Sequence, residues 1–557
     1  MIFPHRRYQR GMTEREPISK TAENLGIDSP FLRSFGPEIT KVSPDFLKAQ
    51  SAEKASRLVL VSAITPTPAG EGKTTSSIGL AQGLAKIGES VCLALREPSL
   101  GPAFGRKGGA TGGGASQVVP AGRINLHFTG DFHAISSAHN LLAALIDNHL
   151  HFDQEPRLDA RRVTWPRVMD MNDRSLRNVN VGLGGRSNGV PRETGFDITA
   201  ASEVMAALCL AEGFEDMRAR LGRLIVGQSP DRKSITAADL KAQGAMLALL
   251  QDALWPNLVQ TTEGVPAFVH GGPFANIAHG CNSVLATRMA LKVADWAITE
   301  AGFGFDLGGE KFFDIKCRSA DLNPAHVVLV ATVRALKYHG GTALGALSSS
   351  DPAALRKGLP NLARHVESVQ SFDKSPLVVL NRFTHDTDEE IAVLREYCDN
   401  AGIAFAASDH FTHGGDGALD FAKALVAQKD QPLKPVRFSY ELEATVEEKV
   451  RAVATRVYGA KDVSFTAAAK RAIRGIKKKG FANLPICMAK TQSSLSDDPK
   501  RLGRPEGFTV TIRDVQLNAG AGFLVVITGD ILRMPGLPKE PRAHKIDIRD
   551  GVADGMM

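Results

Sequence analysis

Cysteine is scarce, and the cysteines present lie far apart. Cys92, Cys209, Cys281, Cys317, Cys398 and Cys487 are spread through 557 residues, and no pair stands in a C-x-x-C spacing. That excludes a disulfide framework and a zinc site of the usual spacing, and it reads as reduced thiols in a cytoplasmic setting. Long apolar runs are also missing. None approaches the roughly 18 residues that a membrane helix needs, so no membrane partner is expected. The basic start, Met1 to Arg10, is not followed by an apolar segment, which excludes a secretory signal. A short basic transit peptide or an extended start before Met12 are the readings left. Charge of one sign is not in great excess. Lys and Arg number 67 against 60 Asp and Glu, a net +7, which an anionic small ligand explains as well as nucleic acid does. The one basic run, Lys477 to Lys479, is better explained as a solvated helix end than as a nucleic-acid contact.

Glycine, by contrast, is abundant. There are 53 glycines, against roughly 39 at an average usage of about 7%. They are clustered, which marks loops where the backbone must approach something closely. From Arg57 to about Gln428, short β-branched runs alternate with amphipathic segments of helix length. Leu58–Ile64, Val91–Leu95, Val327–Thr332, Leu377–Leu380 and Ile403–Ala406 read as buried strands. Ser76–Ile87, Ser136–Asn148, Ala353–Val369 and Asp386–Asn400 read as helices. The alternation predicts an α/β fold with a mainly parallel sheet covered on both faces. Such sheets bind ligands beyond the carboxyl ends of their strands.

Three units are expected. Residues 1–365 form a P-loop nucleotide-binding domain, with an inserted α+β subdomain at about 157–255 that includes a helix over Ala200–Leu210. Residues 366–430 form a smaller α/β segment. After Pro432–Pro435 the composition shifts, and 431–557 form a C-terminal α+β domain with helices over Glu441–Val457 and Thr466–Lys478 and short strands in Gly507–Ile527.

The strongest local signal is Thr65, Pro66, Thr67, Pro68, Ala69, Gly70, Glu71, Gly72, Lys73, Thr74 and Thr75. It follows a predicted strand and opens a predicted helix, the context a nucleotide phosphate loop requires. Gly70 and Gly72 let backbone N–H groups turn toward phosphate oxygens. Lys73 supplies charge to the β- and γ-phosphates, the Thr74 hydroxyl suits Mg²⁺, and the helix N-terminus adds its dipole. Thr67 stands where the strict G-x-x-x-x-G-K-[ST] pattern has glycine. The alternative is a tight strand-to-helix turn with a surface lysine.

A second glycine cluster, Gly101 to Gly114, follows the predicted strand Val91–Leu95 and contains Arg106 and Lys107. It is either a flexible surface loop or part of the same site. Arg96, at the strand end, is placed to hold a phosphoryl group bidentately or to pair with Glu97. Asp131 follows the apolar stretch Ile124–Phe128. It serves Mg²⁺ or a substrate at a strand end, or simply makes a turn. His127, His133, His270, His279 and His339 lie near glycines or strand ends without metal-ligand spacing and read as structural.

Several segments together resemble the formate–tetrahydrofolate ligase family. They are the 65–75 loop, Lys107 to Gly114, Val269 to Ser283, Glu300 to Phe312, Val330 to Gly341 and Met534 to Pro538, and they run in family order over almost the whole chain. The resemblance implies a carbon–nitrogen ligase that joins formate to tetrahydrofolate with ATP, giving 10-formyltetrahydrofolate, ADP and phosphate through formyl phosphate. It implies MgATP and tetrahydrofolate as substrates, a monovalent cation (K⁺ or NH₄⁺), and a homotetramer. Lys73 and Arg96 match the family's phosphate-contacting cations, and Asp131 matches an aspartate near the transferring group. Phe303, Phe383 and Phe411 match the aromatic positions around the folate, with Phe411 where a tryptophan is expected. Thr384 replaces a usual proline, and Arg106, Thr111 and Ala115 depart from the glycine signature. A partitioning-type ATPase or another small carboxylate ligase would account for the 65–75 loop, but not for Val269 to Ser283 or Val330 to Gly341.

Overall fold

The computed structural model describes residues 16–49, 55–106, 108–549 and 551–556. Lys107 and the basic start therefore lie outside the described residues. The main sheet is built from β1 (Leu32–Ser34), β2 (Thr40–Val42), β3 (Arg57–Ala63), β4 (Val91–Leu95), β5 (Gly112–Gly113), β6 (Ser116–Val119), β7 (Asn257–Thr261), β8 (Pro266–Val269), β9 (Trp296–Glu300), β10 (His326–Ala331), β11 (Pro376–Asn381) and β12 (Ala404–Ser408). The order is β1-β2-β7-β8-β4-β9-β3-β10-β11-β12, with the β5–β6 ribbon attached at β7. From β8 to β12 every neighbouring pair is parallel. The pairs β1–β2, β2–β7 and β7–β8 are antiparallel.

The strand sequences explain this burial. Leu58 and Leu60 of β3 join the core on one face, and Val59, Val61 and Ala63 join the core on the other. Leu329 and Val330 of β10 divide in the same way. Strands buried on both faces carry near-continuous apolar runs, which is why they were legible as strands.

The chain leaves β3 through the 65–75 loop and α1 (Lys73–Lys86), and β4 lies on one side of β3 beyond the intervening β9. β10, β11 and β12 extend on the other side. Ligands of open α/β sheets bind beyond the carboxyl ends of the strands at such a reversal, here the ends of β3 and β9.

The inserted stretch packs a separate core. Trp165, Met205, Leu224 and Ile235 cluster with Ile135 and Leu142 of the long helix α2 (Asp131–His151). Its predicted helix begins only at Glu203, after a tight turn over Thr199–Ala201. Farther on, α3 (Val333–His339), α4 (Pro352–Gln370) and α5 (Asp388–Asn400) accompany β10 to β12.

The last part contains α6 (Ala467–Lys478) and the strands β13 (Asp462–Phe465), β14 (Ile486–Ala489), β15 (Thr509–Ile512), β16 (Asp514–Asn518) and β17 (Phe523–Ile527). Its core residues Val450, Ile486 and Phe523 run on into the core beneath Leu58 and Leu329. Lys477 and Lys478 close α6 in its last turn, where cations suit the helix dipole. All six cysteines are buried free thiols. No helix among the described residues is long and apolar enough to cross a membrane.

Candidate active site

The 65–75 loop leaves the end of β3 and turns into α1 through Gly72, which caps the helix at φ 72°. A side chain there would be strained, and its Cβ would lie 2.5 Å from Nδ2 of Asn381. Glu71 is turned inward. Thr67 N–H and Oγ1 donate to its Oε1 at 2.6 and 2.8 Å, and Thr332 Oγ1 donates to its Oε2. The carboxylate therefore acts as a strut within the loop. At the loop's first residue, Thr65 Oγ1 meets His365 Nε2 at 3.0 Å and accepts from Asn361 Nδ2 at 3.0 Å. His339 Nε2 lies 2.9 Å from the Thr65 carbonyl. The first turn of α1 then leaves N–H groups without acceptors inside the helix, aimed out of its end.

Thr74 and Arg96 meet at Glu300, whose charge Lys73 also feels. Thr74 Oγ1 donates to Glu300 Oε2 at 2.7 Å, and Arg96 Nε lies 3.4 Å from Glu300 Oε1. The register explains the meeting. β9 lies between β3 and β4 and runs parallel to both, so Glu300 at its end falls beside the loop after β3 and the arginine after β4. Burial pulls the Lys73 ammonium down to about 8. Arg96 adds to the depression, and Glu300 opposes it. Arg96 thus has Glu300 as its carboxylate partner.

Glu97 is buried instead, and its Oε2 has no hydrogen-bond partner. Burial first, then the neighbouring Asp131 carboxylate, pushes its carboxyl well above the usual range.

Asp131 does not sit at a strand end. Ala121–Ile124 is a helical turn, and Asp131 begins α2 after Gly130 at φ 93°. Its Oδ1 pairs with Lys41 Nζ at 2.7 Å, and its Oδ2 accepts from Asn257 Nδ2 at 2.8 Å. Both oxygens have partners inside the protein.

The three phenylalanines each follow the carboxyl end of a main-sheet strand, Phe303 after β9, Phe383 after β11 and Phe411 after β12. Phe303 follows Glu300 closely, half-buried, with φ 59°, a left-handed conformation that is uncommon outside glycine. Phe383 and Phe411 leave neighbouring strand ends, since Asn381 of β11 pairs with Ser408 of β12. Phe383 is half-buried, and the Arg334 guanidinium lies over its ring at 4.2 Å. Phe411 is 53% exposed. Its carbonyl accepts from Ala115 N–H at 2.8 Å, and the glycine run lies against it so closely that a Cβ on Gly114 would stand 2.0 Å from that oxygen. Gly114 itself has φ 60°. The 101–114 cluster is therefore fixed against Phe411 at its far end.

Of the histidines, His270 is held by Ser283 Oγ at 2.7 Å and by the Ala253 carbonyl at 2.6 Å. Among the described residues no group of His, Cys, Asp or Glu is arranged to hold a metal ion.

Three residues of the site went unassigned in the sequence. Glu300 closes a buried strand with a carboxylate, a signal that could have been read. Arg334 and Asn381 reach the 65–75 loop from distant segments and carry no local signal. Asn381 Nδ2 donates to the Glu71 carbonyl at 3.1 Å.

Comparison with known proteins decides the relationship. The family model for formate–tetrahydrofolate ligase matches residues 10–557. The chain belongs to the formate–tetrahydrofolate ligase family. It is 54% identical to a formate–tetrahydrofolate ligase of Methylorubrum extorquens over 543 residues, covering 97% of this chain and 98% of that one. It is 53% identical to the corresponding protein of Methylorubrum populi, with the same coverage. Family membership thus extends from the 65–75 loop through the C-terminal strands.

Proposed function

We propose that this chain ligates formate to tetrahydrofolate with ATP, and that the reaction takes place in the crevice at the ends of β3, β4 and β9. Formate is a poor acyl donor, because oxide is a hopeless leaving group. A formate oxygen attacks the γ-phosphorus and the bond to ADP breaks, giving formyl phosphate. The folate nitrogen then attacks the formyl carbon, the carbon–oxygen bond breaks, phosphate leaves with its electron pair, and the amine loses its proton. Both steps gather negative charge on phosphoryl oxygens, so cations and backbone donors supply the catalysis, with no protein nucleophile.

The observation that carries this reading is the meeting of Arg96 and Thr74 at Glu300, next to Lys73 in the first turn of α1 and beyond parallel strand ends. In the proposed assignment, the 65–75 segment is a loop of the P-loop type that holds the nucleotide, Lys73 neutralises the transferring phosphoryl group, and Arg96 holds formyl phosphate. The Thr74 hydroxyl and the Glu300 carboxylate are hard oxygens suited to the Mg²⁺ that accompanies ATP, which offsets phosphate charge when bound. Asp131 works through Lys41 and Asn257 to fix the wall of the site behind Glu97. Glu97, with an unpartnered buried oxygen, is suited to the monovalent cation. Phe303, Phe383 and Phe411 form the folate site, where flat rings hold a flat pterin by stacking at low entropic cost. A cytoplasmic homotetramer completes the proposal.

A coupled assay with formate, tetrahydrofolate and MgATP, omitting each in turn, tests the reading. Sustained ADP turnover should require all three, with at most about one ADP per site formed from formate and MgATP alone. ADP formed without formate, or sustained turnover at the full rate without folate, would refute it.

A further inference from the structure

Arg334 stands in the first turn of α3, and it touches both the 65–75 loop and the Phe383 ring. Its Nη2 donates to the Gly70 carbonyl, and its Nε lies 3.6 Å from Glu71 Oε2. Its flat face covers the Phe383 ring, with the guanidinium carbon 4.2 Å from the ring centroid. One edge of the guanidinium is therefore set by the 65–75 loop, while its face sets an aromatic ring of the proposed folate site. Arginine suits this double use, because its donors are fixed in a plane and that plane stacks on aromatic rings.

The surrounding bonds make the link stiff. Glu71 is tied to Thr67 and Thr332, so the oxygen beside Arg334 belongs to a carboxylate with little freedom. Asn381, two residues before Phe383, donates to the Glu71 carbonyl at 3.1 Å. Phe383 N–H is in turn held by Asp386 Oδ2 at 2.8 Å. A rotation of the loop at Gly70 (φ 83°) would tilt the guanidinium plane and the ring on it together.

We propose that Arg334 is a positioning residue that couples the nucleotide loop to Phe383, so that a nucleotide in the loop and a pterin on the ring each tighten the binding of the other. The inference rests on the reading of Phe383 as a folate-stacking ring. By linkage the two ligands must favour each other by the same factor.

The experiment is a binding cycle on the full-length protein by isothermal titration calorimetry. Tetrahydrofolate is titrated with and without β,γ-methylene-ATP and Mg²⁺, and the analogue with and without tetrahydrofolate. In the wild type, each ligand should bind on the order of five- to tenfold more tightly in the presence of the other. In Arg334→Ala, both should still bind alone, but the ratio should fall to within about twofold of unity. Arg334→Lys can reach the Gly70 carbonyl but offers no plane to the ring, so its ratio should fall between the two. It also decides the matter should the alanine variant fail to fold. A wild-type ratio of one, or a ratio in either variant as large as the wild type's, overturns the inference. Phe383→Ala separates the two claims. If it leaves tetrahydrofolate binding unchanged, the folate-site reading fails. If it weakens that binding while Arg334→Ala keeps full coupling, only the coupling fails.

Discussion

Replacing Glu300 by glutamine removes one charge from the centre of the proposed site and almost no volume. Glu300 is nearly fully buried and faces Arg96 Nε at 3.4 Å and Thr74 Oγ1 at 2.7 Å. The amide oxygen can still accept from Thr74, so the loop should keep its fold. The attraction to Arg96 does not survive. At that distance and an effective dielectric of about 20, it is about 5 kcal/mol gross, most of it offset by the cost of keeping both groups out of water. What counts for turnover is the placement of Arg96 and the oxygen ligands for Mg²⁺ at the moment charge develops. Losing one preorganised electrostatic contact of that kind costs about 2.7–4 kcal/mol, or on the order of a hundred- to a thousandfold in turnover. Glu300 is also the main group opposing the depression of Lys73. In the wild type, kcat/KM for ATP should fall as pH rises through about 8, where free Lys73 loses its proton. In Glu300→Gln that limb should move to lower pH. Steady-state rates across pH 6–9.5 at several Mg²⁺ concentrations measure both effects. Turnover within threefold of wild type, with the same Mg²⁺ requirement and the same alkaline limb, would refute the reasoning.

Lys73→Met should lose about 3–4 kcal/mol of transition-state stabilisation and yet unfold at higher urea than wild type at pH 7. Folded Lys73 binds its proton less tightly than an ordinary lysine (about 8 against 10.5), so the unfolded chain holds more protons between those values and the wild-type penalty fades as pH rises through them. The gain of the variant should therefore shrink by pH 10, and equal gains at both pH values would count against it. Phe383→Ala and Phe411→Ala should each raise the tetrahydrofolate KM, up to roughly a thousandfold if the ring is fully covered by ligand, and leave that of ATP nearly alone. Phe411→Trp should keep or tighten folate binding, and unchanged folate constants in both alanine variants would relocate the pterin site. Lys41→Ala should destabilise the fold by about 3–5 kcal/mol in urea, because it leaves Asp131 as an uncompensated buried charge. A loss below about 1 kcal/mol would show that this pair does not hold the wall together.

The central strands were legible because their burial on both faces writes itself into local sequence. The reading Leu58–Ile64 falls within one residue of Arg57–Ala63, and Val91–Leu95 coincides with β4. The helix after the loop was read from Ser76, whereas it begins at Lys73. Thr74 and Thr75 have weak helix propensity, and the turn is set by left-handed Gly72, whose carbonyl accepts from Ser76 N–H. The reading of Asp131 at a strand end failed for a related reason. Ile124–Phe128 is apolar enough for a strand, but it lies outside the sheet as a turn, and the aspartate's partners, Lys41 and Asn257, come from distant strands. The same limit hid Arg334, whose contact with Gly70 spans 264 positions. The proposal of Lys73 rests on its loop alone. Glu300, although it lies within a recognised segment, entered the proposal only when β9 was seen between β3 and β4.

The fate of the formate oxygens tests the central claim most directly. If the crevice transfers the γ-phosphoryl group to formate, doubly ¹⁸O-labelled formate in unlabelled water must pass one labelled oxygen to phosphate for each 10-formyltetrahydrofolate formed, and mass spectrometry of the phosphate should show that single label. Phosphate that carries no label, with its fourth oxygen drawn from water, would mean that ATP is hydrolysed without activating formate, and would contradict the account.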